Sequence, residues 1–405
     1  MTKLKDPITL PNGTVLANRI AKSAMSENLS NKTHEPTSIL INAYKEWAKG
    51  GSGLLITGNV MIDSKALGEP MNVVIEDDRH AQQLKEWAAT VKGTDTHLWV
   101  QINHPGRQAM DQINNVLKAP SAIPLKSKSR KKATTKIPKA LTHDEILDII
   151  KRFGTTARIL KEAGFTGVQI HGAHGYLVSQ FLSPYANVRE DEWGGTFEKR
   201  AKFVLEVYKE IRSQVGPDFP VGIKLNSADF QKGGFSEEDS MKVIDLLSKA
   251  GIDLIEISGG TYEAPAMMMG NRKQSTKERE AYFIDYIEKA RKITKTPLML
   301  TGGFRTVSVM QNAIASEKLD VVGLARPYCL FPNIGNDILN ESQSTFPVNI
   351  NKTGVKGIDG MMNIIWYEAQ IKRLGLGKLP KLKLSAWSVF FNYLFLIFKF
   401  KLMKK

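Results

Sequence analysis

The chain has 405 residues, 42% of them hydrophobic, with a formal net charge of +15 at pH 7. Its single cysteine, Cys329, excludes an intrachain disulfide, a cysteine-ligated iron–sulfur cluster and a cysteine-based zinc finger. The charge is local: residues 118–140 hold eight Lys or Arg and no acid, residues 372–405 hold nine and no acid, and the remainder nets −2, which argues against nucleic acid as a partner.

Met1–Asp6 has no apolar stretch behind its lysines, so no secretory signal is read there, and the lone cysteine fits the reducing cytoplasm. Ile8–Leu16 is two short apolar runs around Asn12-Gly13, a strong hairpin signal. Eight strands are then expected at Ile20–Met25, Gly53–Met61, His97–Asn103, Gly167–Gly172, Pro220–Asn226, Asp253–Gly259, Pro297–Gly303 and Asp320–Arg326. Helices are expected between them at Ser38–Gly50, Asp77–Lys92, Thr142–Gly164, Phe197–Val215, Ser236–Ala250, Glu280–Ile293 and Val307–Ser316. Thr142 and Glu145 read as a capping box, and Ala163-Gly164 as a helix stop.

Eight β–α repeats point to an α/β fold, a (β/α)8 TIM barrel whose N-terminal end the hairpin plugs. A doubly wound sheet is the alternative, but no Gly-x-Gly-x-x-Gly follows the first strand. The barrel is assigned to residues 1–375 and a basic, aromatic, helical tail to residues 376–405. In a barrel the chemistry sits at the C-terminal strand ends. Polar residues do gather at those ends: Ser26, Glu27, Asn59, Gln101, His104, His171, His174, Lys224, Asn226, Ser258 and Arg326.

The most specific run is Gln169-Ile-His171-Gly-Ala-His174-Gly-Tyr176, continuing through Ser183-Pro184, Asn187-Val-Arg189 and Asp191 to Gly194-Gly195. Two imidazoles at a strand end can donate N–H bonds to one carbonyl oxygen and draw an α,β-unsaturated ketone toward an enolate. A phenol beside them can deliver a proton to the α-carbon. A zinc reading lacks a third ligand.

This run resembles the old yellow enzyme, or NADH:flavin oxidoreductase, family over about residues 5–375. Asn18-Arg-Ile20, Ser23-Ala-Met25, Gln101–Arg107, Lys224–Asp229, Thr301–Gly303 and Gly323–Pro327 agree in order. The resemblance implies FMN at the strand ends and NADH or NADPH as hydride donor. Ser23, Ala24, Met25 and Ser26 match the stretch under the isoalloxazine, and Gly58 and Gln101 its pyrimidine edge. Lys224 matches the cation near N1, and Gly302, Gly303, Ala325 and Arg326 the phosphate site. His171 and His174 match the substrate-carbonyl pair, Tyr176 the proton donor, and Asn28 a position over the substrate.

Four residues depart from the pattern. Ser26 replaces cysteine or threonine, Lys224 replaces arginine, and Asn28 replaces an aromatic. Ala325 replaces a glycine, which requires negative φ there. The implied activity is hydride transfer through FMN to the activated C=C bond of a small unsaturated carbonyl compound. Two alternatives stand beside it. One is a flavin-free phosphate-binding lyase or aldolase with Lys224 as Schiff base. The other is a membrane-tethered flavin-binding protein without turnover.

Lys118–Lys139 would lie on the active-site face, facing solvent or a phosphate of a nucleotide ligand. In the tail, lysines flank the fifteen uncharged residues Leu384–Phe398, short of the ~20 needed to span a bilayer. Such a helix suits a membrane interface. It would equally suit packing on the barrel or on a second subunit of a homo-oligomer.

Overall fold

Near-continuous apolar strands have no wet face and need cover on both sides. The computed structural model, which describes residues 1–126, 136–261, 284–348 and 351–403, meets that need with a closed barrel. β1 (Ile8–Thr9) and β2 (Val15–Leu16) form the antiparallel hairpin, turning at Gly13 with φ +88°. There follow β3 (Ile20–Lys22), β4 (Leu54–Met61), the short β5 (Val73–Val74), β6 (His97–Asn103), β7 (Lys118–Ala119) and β8 (Lys139–Ala140). The last five are β9 (Gly167–Gly172), β10 (Val221–Asn226), β11 (Leu254–Ser258), β12 (Leu298–Thr301) and β13 (Val321–Leu324). Eight of them run parallel in the order β3-β4-β6-β9-β10-β11-β12-β13, and β13 pairs with β3 to close the ring. These are the eight expected strands.

The helices are α1 (Ser38–Ala48), α2 (Ala81–Ala88), α3 (His143–Ala163), α4 (Leu177–Leu182), α5 (Phe197–Val215) and α6 (Glu237–Ala250), followed by α7 (Ile284–Arg291), α8 (Val307–Ala315), α9 (Ile334–Leu339), α10 (Lys356–Gly375) and α11 (Ala386–Met403). The capping box of Thr142 and Glu145 opens α3, and Gly164 ends it in the left-handed conformation.

The hairpin seals the barrel floor. Its Ile8, Leu10 and Leu16 pack in one cluster with Ala21, Leu54, Ile56, Trp99, Leu254, Met299 and Val321. Trp99 is fully buried there, and the bare backbone of Gly167 makes room for it: a Cβ on Gly167 would stand 2.4 Å from the indole nitrogen. Gly167→Ala is therefore expected to cost about 1–3 kcal/mol through overpacking. The check is a lower urea midpoint at unchanged slope.

Several boundaries differ from expectation. The chain leaves the sheet after Lys22 and after Thr301, the second exit at Gly302 and Gly303 with φ +134° and +100°. Asp77–Lys92 is not one helix. A 3-10 turn at Asp78–His80 precedes α2 and another at Ala89–Val91 follows it, where the Thr90 hydroxyl bonds the Trp87 carbonyl and competes with the helix ladder. Of the expected helix Glu280–Ile293, residues 280–283 lie outside the described residues.

Lys118 and Lys139 reach Glu145 at 3.2 and 3.5 Å, beside the N-terminus of α3. Residues 127–135 lie outside the described residues. Among the described residues no helix is long and apolar enough to cross a membrane.

Candidate active site

The C-terminal ends of the strands surround a cavity of about 940 Å³, its open mouth included. Ala24, Met25, Ser26, Gln101, His171, His174, Tyr176, Lys224 and Arg326 all reach its wall. Ser23, Gly58, Gly302, Gly303, Ala325 and Asn28 do not.

β9 carries His171, and the turn just after it carries His174. His174 has φ +61°, strained for a residue with a side chain. Its backbone is held on both sides, N–H to Asn226 Oδ1 at 3.1 Å and carbonyl to Gln108 Nε2 at 2.7 Å. This turn aims the imidazole at His171, with His174 Nδ1 2.9 Å from His171 Nε2. Asn59 Oδ1 lies 2.6 Å from His171 Nδ1, and Ser258 Oγ 2.8 Å from His174 Nε2. Burial lowers both pKa values, His174 to about 3, and the nearby Lys224 ammonium pushes the same way, so both rings are neutral at pH 7. With the Asn59 oxygen toward His171, Ser258 donates to His174, His174 to His171, and His171 to Asn59; turning the Asn59 amide over reverses the chain. The Tyr176 ring stands edge-on to His171, 4.6 Å between centroids, and is buried.

Lys224 projects from β10 and pairs with Glu256 of β11 at 3.1 Å. Glu256 is fully buried and also accepts from Gln169 Nε2 and Thr301 Oγ1, each at 2.7 Å. Gln101 Nε2 donates to Gln169 Oε1 at 2.7 Å. Lys224 is thus held in a buried amide–carboxylate network. Ser23 belongs to this network rather than to the wall, with its hydroxyl 2.6 Å from that of Thr301.

Three of the matched positions make contacts of their own. The Ser26 hydroxyl, on the cavity wall, lies 2.6 Å from Glu69 and from Glu368, which its single proton and two lone pairs link. Gly58 spends its N–H on Glu27 at 3.1 Å, and a Cβ there would meet the Met25 carbonyl oxygen at 2.3 Å. Its bare backbone lets the Ala24–Ser26 stretch pass close by. Asn28 sits off the cavity wall at φ +52° and accepts from the Met71 N–H at 2.8 Å.

The sequence reading missed the roof. Asn363, Ile364 and Tyr367 of α10 close the cavity from far down the chain, with Glu69, Gly259, Gly260 and Thr261. The Tyr367 hydroxyl is buried with no partner among the described residues. Behind the wall, Lys22 is fully buried, 3.6 Å from Glu27 and over the rings of Trp47 and Tyr44. The signal for Lys22 was a lysine inside an otherwise apolar strand.

Burial and the adjacent Glu69 carboxylate push the Glu368 carboxyl up to about 8, and burial raises Glu69 as well. In the unfolded chain Glu368 releases its proton near 4.5. The fold therefore holds the extra proton between those values, and stability falls as pH rises through that window. Glu368→Gln keeps an N–H donor at every pH. Its urea midpoint relative to the parent is expected to climb from about pH 5 to about pH 9; a constant difference would show that Glu368 does not hold the proton.

The donor set fits FMN. Arg326 lies half-buried on the wall and forms no ion pair among the described residues. It follows Ala325, whose φ of −108° tolerates a side chain, and β13 pairs with β12 just before Gly302-Gly303. A cation beside two tight strand-end turns suits a phosphate. Lys224, Gln101 and the unpartnered Tyr367 hydroxyl suit the polar edge of a flavin.

Comparison with known proteins agrees with this chemistry. The profile of the NADH:flavin oxidoreductase / NADH oxidase family matches residues 3–341. An NADH-dependent flavin oxidoreductase of Hypocrea jecorina is 38% identical over 82% of this chain and 88% of its own length. One of Talaromyces variabilis is 34% identical over 92% of this chain and 98% of its own. The solved old yellow enzyme homologue of Zymomonas mobilis shares the fold, with TM-score 0.72 at 24% identity over 86% of this chain and 95% of that one. The chain belongs to the NADH:flavin oxidoreductase / NADH oxidase family and is an FMN-dependent oxidoreductase served by a nicotinamide cofactor.

Proposed function

We propose that the protein reduces the activated C=C bond of an α,β-unsaturated carbonyl compound with NADH as the hydride donor. The observation that carries this reading is the buried, neutral His171–His174 pair with Tyr176 against it, in the same cavity as Lys224 and Arg326. The names of the Hypocrea and Talaromyces relatives support NADH. Bound FMN supplies the hydride relay between nicotinamide and the β-carbon.

A carbonyl oxygen entering between the rings exchanges the His171–His174 bond for a bond from each ring. With Asn59 turned to donate its amide to His171 Nδ1, the single His171 proton shifts from Nδ1 to Nε2; Ser258 still donates to His174 Nε2, so both facing nitrogens then carry protons. Two neutral donors then stabilise the developing enolate without a prior change of charge. Tyr176 protonates the α-carbon as the acid of the same site. Lys224 and Glu256 form a fixed buried charge pair, which leaves Lys224 poorly placed for Schiff-base chemistry and weakens the lyase alternative.

The test is incubation with NADH and 2-cyclohexenone without dioxygen, with products separated by gas chromatography. Cyclohexanone in step with NADH consumed is the expected result. NADH oxidation that requires dioxygen and leaves the enone intact would sink the proposal while leaving the family assignment standing.

A further inference from the structure

The tail helix has two unlike faces. Ala386 and Val389 are buried, and Phe390 and Tyr393 pack partly buried against the core. The opposite stripe, Trp387, Phe391, Leu394, Phe395 and Phe398, is 42–66% exposed. These five positions recur at helical spacing, so they form one continuous ridge. The approach to the helix continues it: Leu379 is 82% exposed and Leu382 60%. Lys378, Lys381 and Lys383 lie among these leucines, exposed and without an ion pair among the described residues. No acid occurs anywhere in residues 372–405.

We infer that this ridge and its lysine fringe form a docking surface for an anionic lipid bilayer. A large apolar ridge costs free energy in water and calls for a cover. Charge selects among the covers. A second copy would bring two all-basic segments together and pay for their repulsion. An acidic headgroup layer would take the lysines, and the acyl boundary beneath would take the aromatic side chains. The helix does not cross the bilayer, so it lies along the interface.

The position of the helix ties docking to the active site without depending on the reaction proposed. α11 and the loop before it are fastened to α10: Trp366 Nε1 donates to the Leu384 carbonyl at 3.0 Å, and Gln370 Nε2 to the Lys381 carbonyl at 2.8 Å. α10 also carries Asn363, Ile364 and Tyr367 into the cavity wall. Docking therefore places the cavity roof one helix away from the lipid surface, a setting for lipid-dissolved, apolar substrates.

The test is flotation of the full-length holoenzyme with vesicles of phosphatidylcholine alone, or of phosphatidylcholine with about 30% phosphatidylglycerol. Binding at least about tenfold stronger to the anionic vesicles, and weakened by salt, is expected. The double variant F391E/F395E should lose about tenfold of that binding. It should retain the parent melting midpoint and NADH oxidation rate, since both side chains point away from the fold. Lys378→Glu with Lys381→Glu and Lys383→Glu should lose the preference for anionic lipid. Three results would overturn the inference: a parent protein that does not float, variants that float equally well, or lipid-free dimerisation that F391E/F395E abolishes while anionic vesicles leave the protein unbound.

Discussion

Tyr176→Phe is expected to leave reduction of the flavin by NADH unchanged and to slow reoxidation by an enone about 10²–10⁴-fold, the usual weight of a positioned general acid. The phenol is buried against His171, so removing one oxygen leaves the ring packing and the cavity in place. Rapid-mixing spectroscopy separates the two half-reactions. Equal rates for variant and parent in the enone step would remove Tyr176 as the acid. A loss confined to the NADH step would move its role to nicotinamide binding. The histidines answer a different question, because both rings must be neutral to donate without changing charge. Their lowered pKa values predict an enone step insensitive to imidazole titration between about pH 5 and 8.

Lys224→Met is expected to destabilise the protein by about 3–5 kcal/mol, because it strands Glu256 as a buried charge. The carboxylate would keep only the bonds from Gln169 and Thr301. The double variant Lys224→Met/Glu256→Gln should recover most of that loss, since no charge is then left buried alone. Urea unfolding of parent, single and double variants measures the coupling. If the single variant is as stable as the parent, the pair carries no structural weight, and Lys224 serves the cofactor alone. Recovery of stability without recovery of FMN affinity would separate the two roles of this lysine.

The barrel was legible because its signal is local. Leu54-Leu-Ile and Val321-Val are buried runs that read as parallel strands wherever they occur, and Asn12-Gly13 marks a hairpin by its own backbone preference. The pocket floor was legible for the same reason: strand-end residues such as Gln101, His171, His174 and Lys224 stand at fixed places in a repeating pattern. The roof was not. Tyr367 and Glu368 sit on a helix that no β–α repeat announces, and whose first turns carry Gly357 and Gly360, poor helix formers. Nor can spacing show that Ser26 and Glu69 from the front of the chain meet Glu368 from its end. The direction of hydrogen bonds was the other gap. Gly58 spends its backbone N–H on Glu27 and Asn28 its side-chain oxygen on the Met71 N–H, and neither residue reaches the cavity wall.

The central claim is that a flavin in this cavity passes hydride from NADH to an electron-poor alkene, and one anaerobic experiment tests it most directly. The visible spectrum of the purified protein is followed through addition of NADH and then of 2-cyclohexenone, and the released chromophore is identified by chromatography. The account predicts a yellow protein that releases FMN, bleaches with NADH and regains its colour with the enone. A protein that bleaches and stays bleached until dioxygen is admitted would contradict the proposed substrate class. A colourless protein that takes up no added FMN would contradict the reading of the cavity itself.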